Sequence, residues 1–249
     1  MLDTLFPVSC ISCRCDGEWF CEECLEKIRI IPFQVCPKCE KNITESGRSC
    51  PNCKPFSTLD AMLVSTSYKE GLVAKLVHLY KYRFVQDLHI PLGKMLVRSI
   101  IRSELPLPDL IVPVPLHKKR LRWRGFNQAG LLAEYVAKNL TAGFEIRIAT
   151  DVLERRRFTQ PQMKVKRYSE RQNNLKDAFF LESDPPKDSD PEGKIILLID
   201  DIATTGSTLY ECAKILKKGG AKKVFSAVID RQEIRTSKTI IPIRQPAEG

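Results

Sequence analysis

Residues 195–208 read IILLIDDIATTGST. Five aliphatic residues, Ile195 to Ile199, run into two adjacent carboxylates, Asp200 and Asp201, and then into Thr204, Thr205, Gly206, Ser207 and Thr208. An aliphatic run this short and β-branched predicts a parallel strand covered on both faces. Small hydroxyl residues around one glycine let the backbone turn tightly and aim N–H groups and hydroxyls at an anion. A helix predicted from about Leu209 to Lys218 adds its N-terminal dipole. Open α/β sheets bind ligands at the carboxyl ends of their strands, where this loop falls. An isolated acidic pair is most often a solvated turn; this one follows an apolar strand and precedes an anion loop. The loop is therefore read as holding a phosphate, and the carboxylates as holding hydroxyls or a metal-bound sugar. No Gly-Lys-Ser, Gly-Lys-Thr or GxGxxG accompanies the strand, which excludes a Walker A loop and a dinucleotide fingerprint.

With strand, two acids and TTGST in that order, the segment resembles the phosphoribosyl pyrophosphate (PRPP) motif of type I phosphoribosyltransferases. The resemblance implies that Asp200 and Asp201 bind the ribose 2′ and 3′ hydroxyls, and that Thr204, Thr205, Gly206, Ser207 and Thr208 bind the 5-phosphate.

The chain has 249 residues, enough for one sizeable domain and a small one. No run approaches the roughly 18 apolar residues of a membrane span. The opening MLDTLFPVSC lacks the basic flank and long apolar run of a signal peptide, so a cytoplasmic protein is expected. The formal net charge is +10. Residues 115–171 hold 14 Lys and Arg against five acids, a difference of +9 that accounts for nearly all of the excess. A localised basic field suits a pyrophosphate or a nucleic-acid backbone, and a solvated positive face is the bland alternative.

Nine of the ten cysteines lie in the first 53 residues. Eight form CxxC pairs: Cys10 and Cys13, Cys21 and Cys24, Cys36 and Cys39, Cys50 and Cys53. Each pair can bend into a knuckle offering two thiolates, and two knuckles complete a tetrahedral four-sulfur site, so two structural zinc ions are expected. Sequential pairing of knuckles is simplest, and a crossed pairing, first with third and second with fourth, stays open. Disulfides are the alternative for an exported chain, and iron is a lesser one. Cys15 and Cys212 read as ordinary thiols. Residues 1–56 have too few large apolar side chains for a core of their own, so metal binding and folding should be coupled.

Residues 54–60 read as a linker and AMLVSTSY, 61–68, as a strand. A helix follows at about 71–82, carrying His78, read as a packing or surface residue, and Lys81; a second helix is expected at about 92–103. Residues 110–112 form a short strand ended by Pro113 and Pro115. Lys118, Lys119, Arg120, Arg122 and Arg124 then surround Trp123 in what reads as a cationic loop, and an amphipathic helix runs from Asn127 to about Asn139. Trp123 is either a core residue or a stacking face for a nucleic-acid strand. Residues 154–174, ERRRFTQPQMKVKRYSERQNN, read as a flap; 178–181 and 222–229 read as strands, 182–193 as an exposed loop, and the tail beyond Arg235 as loosely ordered.

Residues 112–129, VPVPLHKKRLRWRGFNQA, resemble the corresponding stretch of the ComF family of competence-associated proteins, including its GntX-like members. Thr159 and Gln160, Arg171 with Asn173 and Asn174, Ala178 and Phe179, and the PRPP motif extend the similarity, and the cysteine pairs resemble the double zinc ribbon that precedes this family's transferase domain. The resemblance implies an α/β fold of the type I phosphoribosyltransferase kind, a mainly parallel sheet flanked by helices, with a small zinc-ribbon domain before it. The expected divisions are a double zinc ribbon at 1–56, a transferase-like domain at 57–235 and a tail at 236–249. The resemblance puts the loop after Val114, with Lys118, Lys119 and Arg120, in the pyrophosphate position, and the flap over PRPP. It implies magnesium bound with PRPP, an association with DNA uptake, and a competence helicase-type partner protein. Two functions stand side by side: a phosphoribosyltransferase whose acceptor the sequence does not specify, and a non-catalytic protein that binds single-stranded DNA or a partner and keeps a regulatory or vestigial PRPP pocket.

Overall fold

The computed structural model describes residues 8–67, 71–158, 177–183 and 185–231. Its centre is a four-stranded parallel sheet built from β3 (Ala61–Val64), β4 (Leu110–Pro113), β7 (Ile195–Ala203) and β8 (Lys223–Arg231), in the order β3-β8-β7-β4. The aliphatic run sits on β7, an inner strand, as its lack of polar residues requires. Successive side chains feed opposite layers. Leu197 and Ile199 join α2 (Gly71–Tyr82), α3 (His89–Ile101) and α5 (Gln128–Asn139) in one core, whereas Ile196 and Leu198 join α6 (Ser207–Lys218) and a small antiparallel hairpin in the other. The hairpin pairs β5 (Leu153–Arg155) with β6 (Phe179–Leu181). Among the described residues no helix is long and apolar enough to cross a membrane.

The amino-terminal module, containing α1 (Glu22–Glu26) and the pair β1 (Gln34–Val35) and β2 (Ile43–Thr44), is packed on the β3 edge. Gln34 occupies that edge like a surrogate strand: its Oε1 accepts from Val64 N–H at 3.0 Å and its Nε2 donates to Val64 O at 3.0 Å. Ile31 N–H donates to Ser65 O, and Ser49 N–H to Asp60 O. Phe20, Leu25, Ile28 and Ile30 bury themselves in the same core as α2, α3 and α5. Glu22 receives Lys94 and Arg98 of α3.

The structure corrects three expectations. The cationic loop after Pro115 is a helix, α4 (Lys118–Arg124), in which His117 Nδ1 accepts from Lys119 N–H at the start and Gly125 closes the end. Pro113 and Pro115 end the strand but lie upstream of the helical residues, and Lys, Arg and Leu are good helix formers. Glu154 and Arg155, expected in a flap, belong to β5, and Arg155 is buried. Most of the expected flap and all of the expected tail lie outside the described residues. The acids at 200 and 201, expected just past the strand, are within β7, whose ladder with β8 continues to Ala203.

Gly47 makes the closest seam between the module and the sheet. Its φ is +67°, and a Cβ there would stand 2.1 Å from Met62 O. Gly47→Ala should therefore lower unfolding stability by about 2–3 kcal/mol in urea titrations; an unchanged midpoint would show that this seam yields freely.

Candidate functional site

The carboxyl ends of the sheet strands converge where the sequence places its acids and hydroxyls. After Ala203 the chain turns through Thr204 to Gly206, whose φ of +72° sets the entry to α6. A side chain at Gly206 would also crowd Met62 and Tyr210, with a Cβ 3.2 and 3.4 Å from their nearest atoms. The Thr205 and Ser207 hydroxyls lie 2.6 Å apart, and Ser207 N–H donates to Thr205 Oγ1 at 3.3 Å. Gly206 offers no side-chain cap to α6, so the first turn presents N–H groups at the loop. The loop is thus a compact turn at the head of a twelve-residue helix, suited to a phosphate.

Asp200 and Asp201 both feel Lys81, and Asp201 is bonded to it. Lys81, in the last turn of α2, places its Nζ 2.9 Å from Asp201 Oδ1, with the two side chains only 18% and 8% exposed. Burial pulls the Lys81 ammonium down, and the charges of Asp201 and Asp200 more than reverse this, leaving its pKa above the ordinary value. The charge of Asp200 acts on Arg155 of β5 and reaches Cys212 of α6. Burial and the charge of Asp201 push the Asp200 carboxyl up to about 7, although Lys81 opposes the shift. The Cys212 thiol is fully buried, and burial with the nearby Asp200 charge raises its pKa, consistent with an inert thiol.

Three arginines gather beside the acids. Burial lowers the Arg120 guanidinium to about 10, helped by the charges of Arg155 and Arg124. Arg155 is lowered chiefly by burial, with its guanidinium over the Phe179 ring at 5.2 Å. Arg124 donates to Gln128 Oε1 at 2.8 Å, while its own Nε and the Gln128 Nε2 are buried donors with no acceptor among the described residues. Like charges held together with spare donors make an anion site.

The expected cations thus separate. Arg120 is half-buried beside this cluster, with its guanidinium also 5.7 Å from the centre of the Phe158 ring. Lys118 is 77% exposed and pairs with Glu154 at 3.2 Å; Lys119 is exposed and lies 5.7 Å from the centre of the Phe158 ring. Trp123 is 66% exposed, touching Phe84 edge-on at 5.2 Å, so it is not a core residue. His78 is a surface residue stacked near Tyr82.

The sequence gives Lys81 and Arg155 no role and places Arg124 only in a general cationic stretch. Lys81 had a signal: the buried positions Val73 and Val77 lead, four residues on, to this lysine, a cation on an apolar stripe. Arg124 and Arg155 sit in runs of like residues that hide which member turns inward.

The metal module follows the simpler expectation. The sulfurs of Cys10, Cys13, Cys21 and Cys24 lie within 4.8 Å of one another, as do those of Cys36, Cys39, Cys50 and Cys53. This excludes the crossed pairing. Two clusters of four soft donors fit structural zinc. Cys15 stands outside the first four but near it, its sulfur 3.4 Å from that of Cys13.

Residues 1–54 match the double zinc ribbon domain family and residues 129–242 the phosphoribosyl transferase domain family. The chain is 32% identical over 228 residues to competence protein F of Haemophilus influenzae, covering 88% of this chain and 95% of that protein. It is 31% identical to the DNA utilization protein YhgH of Salmonella typhi, covering 88% and 94%. With competence protein ComFC of Bacillus subtilis it shares 28% identity over 86% and 85% of the two chains. Among solved structures, glutamine PRPP amidotransferase from B. subtilis overlaps 61% of this chain and 30% of its own at 19% identity and a TM-score of 0.39, too partial an overlap to bear on the site.

The raised Asp200 sets a pH dependence. A carboxyl whose pKa rises from 3.8 to about 7 on folding binds more protons folded than unfolded between those values, so its contribution to stability is lost as pH climbs through that window. Thermal midpoints of the ligand-free protein should fall from about pH 4 to pH 7 more steeply in wild type than in Asp200→Asn. Parallel curves would refute the shift.

Proposed function

Since the chain belongs to the ComF family, in which a double zinc ribbon precedes a phosphoribosyltransferase domain, we propose that it binds PRPP with magnesium at the β7 carboxyl end and transfers phosphoribose to a nitrogen nucleophile. The supporting observation is that Asp200, Asp201 and the 204–208 turn share one strand end beside the arginine cluster. Asp200 and Asp201 orient the ribose hydroxyls, and the 204–208 turn holds the 5-phosphate. Arg120, Arg124 and Arg155 receive the pyrophosphate, with Arg124 and Arg155 in place of the Lys118 and Lys119 that the resemblance implied. The burial of Arg155 lets its charge act at short range on the leaving group. Magnesium takes oxygen ligands and usually binds alongside substrate phosphates. With Asp201 already paired to Lys81, the donor set here fits a metal carried on the diphosphate. When bound, it neutralises the leaving charge. The names of the curated relatives connect them to competence and DNA utilization, and we extend that role to this chain.

The zinc-loaded full chain, titrated calorimetrically with PRPP and magnesium, should bind it. The Asp200→Asn, Asp201→Asn double variant should bind at least about tenfold more weakly, the scale of a lost charged hydrogen bond. A wild type that releases no heat and shows no thermal shift with PRPP would sink this reading.

The outer face of α4 supports a second reading, in which the protein binds single-stranded DNA. Trp123 is exposed there together with Lys118, Lys119 and Arg122. A ring flanked by cations is a stacking platform with an electrostatic funnel. Trp123→Ala should weaken binding to a short single strand by about 1–3 kcal/mol without altering PRPP binding. Affinity should also fall steadily as salt rises. A flat salt response, or a silent Trp123→Ala, would remove this reading.

A further inference from the structure

Helix α2 ends by delivering a lysine to the second acid of the motif. Tyr80 fixes that last turn. Its phenol is wholly buried, its ring lies 6.0 Å from that of Phe126, and its hydroxyl donates to Gln128 O at 2.8 Å, joining the end of α2 to the start of α5. In that setting Lys81 Nζ stands 2.9 Å from Asp201 Oδ1. The ribose-phosphate reading leaves this ammonium without a task, because sugar hydroxyls are held by acceptors and a buried cation on one of the two acids removes an acceptor.

We propose that Lys81 is the resident cation of the acid pair: it occupies Asp201 in the free protein and so keeps divalent metal off Asp200 and Asp201 until metal arrives on a phosphorylated ligand. Lys81 is a positioning residue in this scheme, acting through Asp201. The purpose rests on the PRPP reading, whereas the charge balance belongs to the free protein.

The groups around the pair support this balance. Lys81 approaches from α2 and Arg155 from β5, so two fixed cations face two carboxylates. Cys212 approaches from α6 as a buried thiol held protonated, and Tyr80 as a buried neutral phenol. Burial and the charge of Asp201 favour the protonated form of Asp200 more than in an ordinary carboxyl. A divalent ion needs several anionic oxygens, and here one of the two carboxylates is already matched by an ammonium. Removing Lys81 leaves one uncompensated carboxylate and lifts the repulsion on an entering cation.

The test uses zinc-loaded, full-length protein titrated with Mn2+ alone, with free ion read by electron paramagnetic resonance. Wild type and Lys81→Arg should bind Mn2+ no better than Asp201→Asn. Lys81→Met, which keeps the stem and discards the charge, should gain one site about tenfold tighter or more, and adding Asp201→Asn should abolish it. Should Lys81→Met not fold, Lys81→Gln makes the same comparison. A charge-removed variant that binds Mn2+ no better than wild type overturns the inference, and so does a wild type that already holds Mn2+ through Asp201. PRPP is absent throughout, so failure of the PRPP reading shows only in its own titration and imitates neither result.

Discussion

A parallel strand with no polar residue for five positions has to be covered on both faces, and the rest of the molecule answers to that requirement at β7. Two helical layers meet the alternating side chains of Ile195 to Ile199, and the alternation continues into the acids. Asp201 follows Leu197 and Ile199 toward α2, where Lys81 waits; Asp200 follows Ile196 and Leu198 toward α6 and β5, where Cys212 and Arg155 lie. The two acids are adjacent in sequence, yet the strand sends neighbours to opposite faces and only Asp201 is bonded to Lys81, whose charge still reaches Asp200. Their differing electrostatics is therefore a consequence of strand geometry.

The sheet also has two edges, and each is closed by a different device. At β4, residues 147–149 add a short parallel bridge: Ile111 N–H donates to Arg147 O and Ala149 N–H to Ile111 O, both at 2.9 Å. At β3 the zinc module does the work, with the Gln34 amide and backbone bonds from residues 31 and 49. An uncovered parallel edge invites pairing with other chains. The module is thus part of the domain's surface as well as a metal-binding unit, and the apolar residues it lacks for a core of its own are supplied by α3 and its neighbours. Zinc holds the knuckles, and the sheet holds the module.

Legibility in the sequence followed the distance over which each feature is determined. The strand, the hydroxyl turn and the cysteine knuckles are local patterns, and the helices at 71–82 and 128–139 follow from periodicity. Knuckle pairing was open because intervals along the chain do not fix distances in space. Lys81 acquires its partner from a strand far along the chain, so the sequence showed only its anomaly, a cation on a buried stripe. In Glu154-Arg155-Arg156 the alternation of β5 buries Arg155 over Phe179 and leaves Arg156 outside, bonded to Glu154 at 2.7 Å. Composition described that run as a polar flap because a strand's period cannot be seen through identical residues. The helix α4 was hidden by the prolines before it, which end a strand without preventing a helix three residues later.

That helix also divides one basic stretch into two faces. Seven residues make about two turns, enough to present separate faces. Arg120 and Arg124, four apart, fall on one face and meet Arg155, and the burial that depresses Arg120 and Arg155 is a cost the folded protein carries. An anion set among the three guanidiniums removes both the mutual repulsion and the missing acceptors of Arg124 and Gln128. Solvated cations such as Lys118 and Arg122 have no such deficit, and for them a polyanion offers only counterion release and the nearby Trp123 ring. Under the two proposed readings, the inward face takes a small, highly charged ligand and the outward face a long one. The same net charge that composition reports as a single number is divided by the helix into these two fields.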